Sequence, residues 1–199
     1  MADAPHAAPR TTRERLLDAA AQLIAELGWA AVTSRAVAER AGVNNGVVHY
    51  HFGSMDALRR DATEHATGEL MRSALAWFAA APAALGAYAE MVTAVSRLDP
   101  GSAPVAVLLE AMLHAPRDPE VQVLVAGMVA RFRGAMESKL RADIAAGRVR
   151  DDIDPSDVAV ALAGLFDGLL LHAMVERQTP TEAAIDAVAQ LLAPPATAP

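Results

Sequence analysis

Apolar positions recur at helical spacing along nearly the whole chain, and proline or glycine interrupts them at intervals. Leu16, Ala20, Leu23, Ile24 and Leu27 make one stripe, which predicts a helix over 12–27, with Thr11 or Thr12 as N-cap and Gly28 as its stop. Thr33 then caps a short helix over 34–41 that turns Ala36, Val37 and Ala41 inward. Gly42 ends it, and a second short helix runs from Asn44 to about Tyr50. Two short helices joined by a glycine-containing turn have the form of a helix-turn-helix. The small Ala38 stands where the two would cross, and Val43 and Val48 supply the apolar contacts beneath the turn. Gly53 and Ser54 break the chain again, with Ser54 as the next cap. Beyond them the pattern predicts helices over 55–81, 83–98, 103–115, 119–146, 155–178 and 181–192, each bounded by a proline or glycine signal. No stretch alternates in the manner of a strand.

Composition fits this reading. Of 199 residues, 47 are alanine, the strongest helix former, so the fold class is all-α. The absence of cysteine removes disulfide scaffolds, zinc ribbons and thiol nucleophiles from consideration. The longest apolar stretches, 77–89 (with Pro82 inside) and 158–166, fall short of the ~20 residues that span a bilayer, so a cytoplasmic protein with no membrane partner is expected. Residues 1–10 read as a disordered Ala/Pro arm rather than a leader, and 194–199 as a flexible tail. The formal charge of −7 is unevenly spread: residues 1–60 carry +1 and the remainder −8. A near-neutral head that could approach phosphate thus precedes an acidic body that could not.

The stretch TRERLLDAAAQLIAELGWAAVTSRAVAERAGVNNGVVHYHFGSMDAL resembles the N-terminal domain of the TetR family of bacterial transcriptional regulators. The features that carry the resemblance are the arginine-flanked first helix, Gly28, the Ala38-Glu39-Arg40-Ala41-Gly42-Val43 turn, Gly46, Tyr50-His51-Phe52 and Leu58. It implies a three-helix DNA-binding domain over 11–58, followed over 59–193 by a larger helical domain for ligand binding and dimerisation. It also implies a homodimer on a pseudo-palindromic double-stranded operator, with a small-molecule effector and no cofactor or metal. Asn44, Asn45, His49 and Tyr50 would enter the major groove, where Asn pairs well with adenine, and Val47 and His51 are expected among the DNA-binding residues. Ser34, Arg35 and the Met55 end of the fourth helix would meet backbone phosphate. Two departures stand out: the family commonly has Lys in place of Met55 and often Lys or Arg in place of Asn45, so fewer charge contacts are expected. Each residue also has a plainer reading as a cap, a packing aromatic or a solvated charge. Arg59 and Arg60 read as a solvated face.

In the body, Trp77, Phe78, Tyr88, Met91, Met112, Met128, Phe132, Phe166 and Met174 are large flexible or aromatic side chains, suited equally to a core or to the lining of an apolar ligand site. Glu110 and His114, one helical turn apart, are either a polar anchor for a ligand or an exposed pair. Asp167 interrupts an apolar helix, as a hydrogen-bond acceptor for a ligand or interface, or as an exposed residue. The family pattern places the dimer bundle on the last long helices, with Leu162, Leu165, Gly168 and Leu169 at the interface. The expected function is a repressor that releases its operator on binding a small apolar molecule. An activator, a co-repressor-dependent regulator, and a helical ligand-binding protein without DNA binding are the alternatives. No Ser-His-Asp arrangement, phosphate loop, HExxH or dinucleotide motif supports an enzyme.

Overall fold

The computed structural model describes residues 10–96, 102–176 and 181–195; the expected arm and tail lie almost wholly outside them. Nine α-helices and no strand occur among the described residues: α1 Thr12–Leu27, α2 Ser34–Ala41, α3 Asn45–Phe52, α4 Met55–Ala80, α5 Ala84–Ser96, α6 Ala103–His114, α7 Pro119–Ala145, α8 Pro155–Val175 and α9 Thr181–Leu192. Thr11 is the cap of α1, in a reciprocal box with Glu14. Its backbone N–H holds the Glu14 carboxyl below the usual carboxylate range. The pattern missed two 3-10 turns, Trp29–Ala31 and Ala115–Arg117, each too short to show a period.

The chain divides into two compact units that differ from the linear division expected at 58/59. The first joins residues 1–67 to 103–121, so it takes in α6 as well as the helix-turn-helix. The physical reason is a shared core: α1 packs against both α2 and α6, and Leu16, Ile24, Val37 and Leu58 are fully buried with Val105 and Val107 of α6. A head of three helices buries too little apolar surface alone, and α6 supplies the rest.

The second unit holds 68–102 and 122–199, with α5 packed on α8 and α9. Its core joins Phe78, Tyr88, Met91, Phe132, Met136, Leu140, Leu162 and Leu169. α8 is the one helix among the described residues with a window, Pro155–His172, long and apolar enough to cross a membrane (mean hydropathy 1.2). The expectation from unbroken runs overlooked it because Asp157, Gly164, Asp167 and Gly168 interrupt the sequence. It is a core helix on one side, where Ala159, Leu162, Ala163, Leu169 and Leu170 are buried. The other side is uncovered, leaving Val160, Leu171 and Val175 exposed.

Asp143 is the buried charge of this unit, 1% exposed. Its carboxylate accepts from Ala84 N–H at the start of α5 (2.6 Å) and from Arg148 (2.6 and 3.1 Å), so both oxygens are used. Removing it strands a buried amide. Asp143→Ala is expected to lower the free energy of unfolding by about 2–3 kcal/mol in urea titrations, with the slope unchanged.

Candidate nucleic-acid interface

α2 and α3 are held by local caps that leave their outer faces open. The Thr33 hydroxyl accepts from Ala36 N–H (3.2 Å), which leaves Ser34 half-buried and Arg35 exposed at the first turn of α2. Gly42 closes the helix at φ +65°, where its own N–H and that of Val43 bond back to Ala38 and Glu39. The Arg15 guanidinium donates to the carbonyls of Ala41 and Gly42, tying α1 to the turn.

Asn44 is the N-cap of α3, its side-chain oxygen accepting from Gly46 N–H at 2.9 Å, so that oxygen serves the turn. Val48 is the one buried residue of α3. Asn45, His49 and Tyr50 are exposed, Tyr50 to 84%, while Val47 and His51 flank them half-buried. The His51 ring meets Tyr50 edge-on (5.3 Å) and Phe52 at a tilt (6.1 Å), and Arg13 lies over Phe52 at 5.2 Å. His51 is therefore a packing residue on its inner side. Met55, half-buried, opens α4, where the Ser54 hydroxyl accepts from Ala57 N–H.

The arginines of this unit are mostly committed. Arg10 pairs with Asp18 (2.8 Å), Arg13 with Asp61 (2.5 Å) and Arg40 doubly with Glu26 (2.7 and 2.8 Å). Arg59 and Arg60, expected on a solvated face, are drawn inward instead. Arg59, only 14% exposed, bonds Asp56 and the Val32 carbonyl, and Arg60 pairs with Glu120. The sequence could not show this because the Val32 carbonyl lies 27 residues from Arg59 and Glu120 lies 60 from Arg60. Arg35 is the one arginine of the described helix-turn-helix with neither a carboxylate nor a carbonyl partner.

Against this geometry, comparison with known proteins gives a consistent answer. The family model "Bacterial regulatory proteins, tetR family" matches residues 16–62, and the model "BetI-type transcriptional repressor, C-terminal" matches 86–194. The HTH-type transcriptional repressor Rv1474c of Mycobacterium tuberculosis is 31% identical over 163 residues, covering 79% of this chain and 80% of that protein. The HTH-type transcriptional regulator BetI of Burkholderia mallei is 30% identical over 189 residues, 92% of this chain and 94% of that one. The chain belongs to the TetR family. Its fold is also that of the putative transcriptional regulator SCO7518 from Streptomyces coelicolor (TM-score 0.73, 27% identity, 92% of this chain and 99% of that one). A putative transcriptional regulator from Saccharomonospora viridis, solved in complex with choline, shares it as well (TM-score 0.76, 21% identity, 89% and 93%). TetR-family regulators bind DNA and small-molecule effectors as dimers, and the function class expected from the sequence is thereby that of this chain.

The residues expected to line a ligand site fall into two groups in this TetR-family regulator. Trp77, Phe78, Tyr88, Met91, Phe132 and Phe166 cluster in the second unit, with Phe78–Phe132 and Phe132–Phe166 ring centroids 5.7 and 5.8 Å apart. Met128 is buried there too, and Met174 lies outside the described side chains. Glu110, Met112 and His114 instead sit on α6 in the first unit. Glu110 accepts from Trp29 N–H at 2.9 Å and His114 stacks on the Trp29 ring at 4.8 Å, so neither is an idle exposed pair. Asp167 is half-buried, and burial pushes its carboxyl up from the usual carboxylate range. Of the four expected dimer residues, Leu162 and Leu169 are buried in their own protomer's core, 3% and 9% exposed. Leu165 and Gly168 stay partly open.

Few uncommitted cations imply a weak counterion term. Arg35→Ala is expected to reduce the salt dependence of DNA binding by about 0.9 in log K against log salt for each head, while Arg59→Ala changes stability first. Met55→Lys is expected to tighten binding to operator and random duplex alike, and Asn45→Ala or His49→Ala to weaken operator binding selectively by about 1–3 kcal/mol. Fluorescence anisotropy across a salt series reads the four DNA-binding variants, and thermal melting reads Arg59→Ala.

Proposed function

We propose that this regulator is a homodimeric repressor that places α3 of each protomer in successive major grooves of a pseudo-palindromic operator and releases it when a small molecule binds in the second unit. The observation that carries the reading is α3 itself. One buried side chain holds it, and Asn45, His49 and Tyr50 project with nothing of the described protein over them. Such a helix has the shape of a reader rather than of a core element. Half-sites about one turn apart need two heads at fixed spacing, and so a dimer.

The uncovered side of α8 supports where that dimer would form. Val160, Leu171 and Val175 are exposed there, and a Cβ added at Gly164 or Gly168 would meet nothing within 4 Å. An arginine at Gly168 therefore costs the isolated protomer little and would obstruct a partner helix. Gly168→Arg is expected to give folded monomers in light scattering, and an intact dimer would place the interface elsewhere.

For the effector, the aromatic cluster favours an apolar molecule, and Asp167 favours one that carries a positive charge. With Glu110 engaged by Trp29, Asp167 is the half-buried acid of the second unit that has no hydrogen bond or ion pair among the described residues. A cation beside the aromatic rings would supply its missing partner. The neighbour solved in complex with choline supports the same chemistry.

An electrophoretic shift with DNA from upstream of the coding region, repeated with choline and with a neutral isostere, tests the whole reading: retardation that choline reverses is expected, and no retardation at low salt would overturn it. The carboxyl of Asp167 holds its proton more tightly in the folded state than in the unfolded chain. Stability is therefore full below the unfolded value and declines as pH rises through the raised one. Asp167→Asn removes that loss, and is expected to raise the melting temperature at pH 7.5 by about 1–3 °C while abolishing the choline response.

A further inference from the structure

We infer that Glu110 and His114 of α6 are positioning residues for DNA recognition: together they clamp the turn between α1 and α2 and so set the pitch of the helix-turn-helix. The inference rests on the reading of the chain as a DNA-binding regulator and assigns a role to two residues that sequence alone suggested for a ligand.

The turn cannot hold itself. Gly28 leaves α1 at φ +83° and ψ 163°, a conformation that L side chains rarely adopt, and turns the backbone away from the helical ladder. Trp29 N–H then lacks a helical acceptor, and the Glu110 carboxylate, 2.9 Å away and 81 residues on, provides one. The same carboxylate lies 3.5 Å from where a Cβ of residue 28 would be, so the glycine and the acid fit each other. The Trp29 side chain is 4% exposed, and its ring stacks on His114 at an interplanar angle of 20°. Glu110 and His114 stand at i and i+4, so one face of α6 makes both contacts.

Further along, Val32 gives its carbonyl to Arg59 of α4 at 2.7 Å, and Thr33 follows as the cap of α2. Thus α6 grips the start of the turn and α4 its end. α2 leaves from that end, and α3 packs on α2. The chain passes between the two units at 67/68, within α4, and at 102/103 and 121/122, on either side of α6. Of the two elements that hold the turn, α4 continues into the second unit, whereas α6 lies wholly within the first.

Anisotropy titrations of an operator fragment and a random duplex test the assignment, with choline absent. Glu110→Ala is expected to weaken operator binding at least about tenfold and random-duplex binding by less than about twofold, because phosphate contacts tolerate a changed pitch and base contacts do not. Glu110→Gln keeps an acceptor for Trp29 N–H and is expected to restore most of the operator-to-random ratio. His114→Ala removes the ring contact alone and should lower the ratio in the same sense by less. A folded Glu110→Ala protein with wild-type operator affinity would overturn the assignment. So would loss of operator and random binding in equal measure by both Glu110 variants, in step with melting temperature. Should Glu110→Ala fail to fold, an unchanged ratio in His114→Ala overturns it. A wild-type protein that shifts no DNA would instead remove the regulator reading itself.

Discussion

The backbone N–H of Trp29 finds its acceptor in Glu110, a residue of a helix encoded 81 positions later, and the geometry of the DNA-reading head follows from that contact. A buried amide left without a partner costs about 1–3 kcal/mol, a large share of the stability of a unit this small. The compact unit that holds the head extends beyond its three helices. It is three helices, the opening of α4 and α6, sharing the core of Leu16, Ile24, Leu58, Val105 and Val107.

The same economy governs charge. The arginines that could have met DNA are spent on the head's own acids and carbonyls, Arg13 on Asp61, Arg40 on Glu26, Arg59 on Val32 and Asp56, Arg60 on Glu120. Exposed pairs of this kind add little stability each, but they lower the positive potential that would otherwise draw the head to any duplex. On the reading proposed above, with Met55 and Asn45 uncharged, discrimination would rest on Asn45, His49 and Tyr50 more than on phosphate attraction. A weak counterion term with intact base contacts favours specificity over affinity.

How much of this was legible depended on range along the chain. Thr11, Gly28, Thr33, Gly42, Pro119 and Pro155 are local signals, and the helices begin and end at them within a residue or two. The Asn44 cap and the exposed face of α3 were readable for the same reason. The grouping of α6 with the head was not, because nothing near residue 110 announces a partner at residue 29. Glu110 and His114 were recognisable as a polar pair on an apolar helix, yet whether such a pair faces ligand, solvent or backbone is decided by tertiary contact. Leu162 and Leu169 show the same limit from the opposite side. They lie on an apolar helix with two apolar sides, and periodicity does not tell which side the protomer keeps for itself.

The most direct test of the central contact is native-state hydrogen exchange at the Trp29 amide in the wild-type protein. If Glu110 holds it, that amide exchanges only when α6 opens, with the protection of the Leu109 and Ala111 amides in the middle of that helix. Exchange of Trp29 near the free-chain rate, while Leu109 and Ala111 stay protected, would show that the turn stands without α6 and contradict the account.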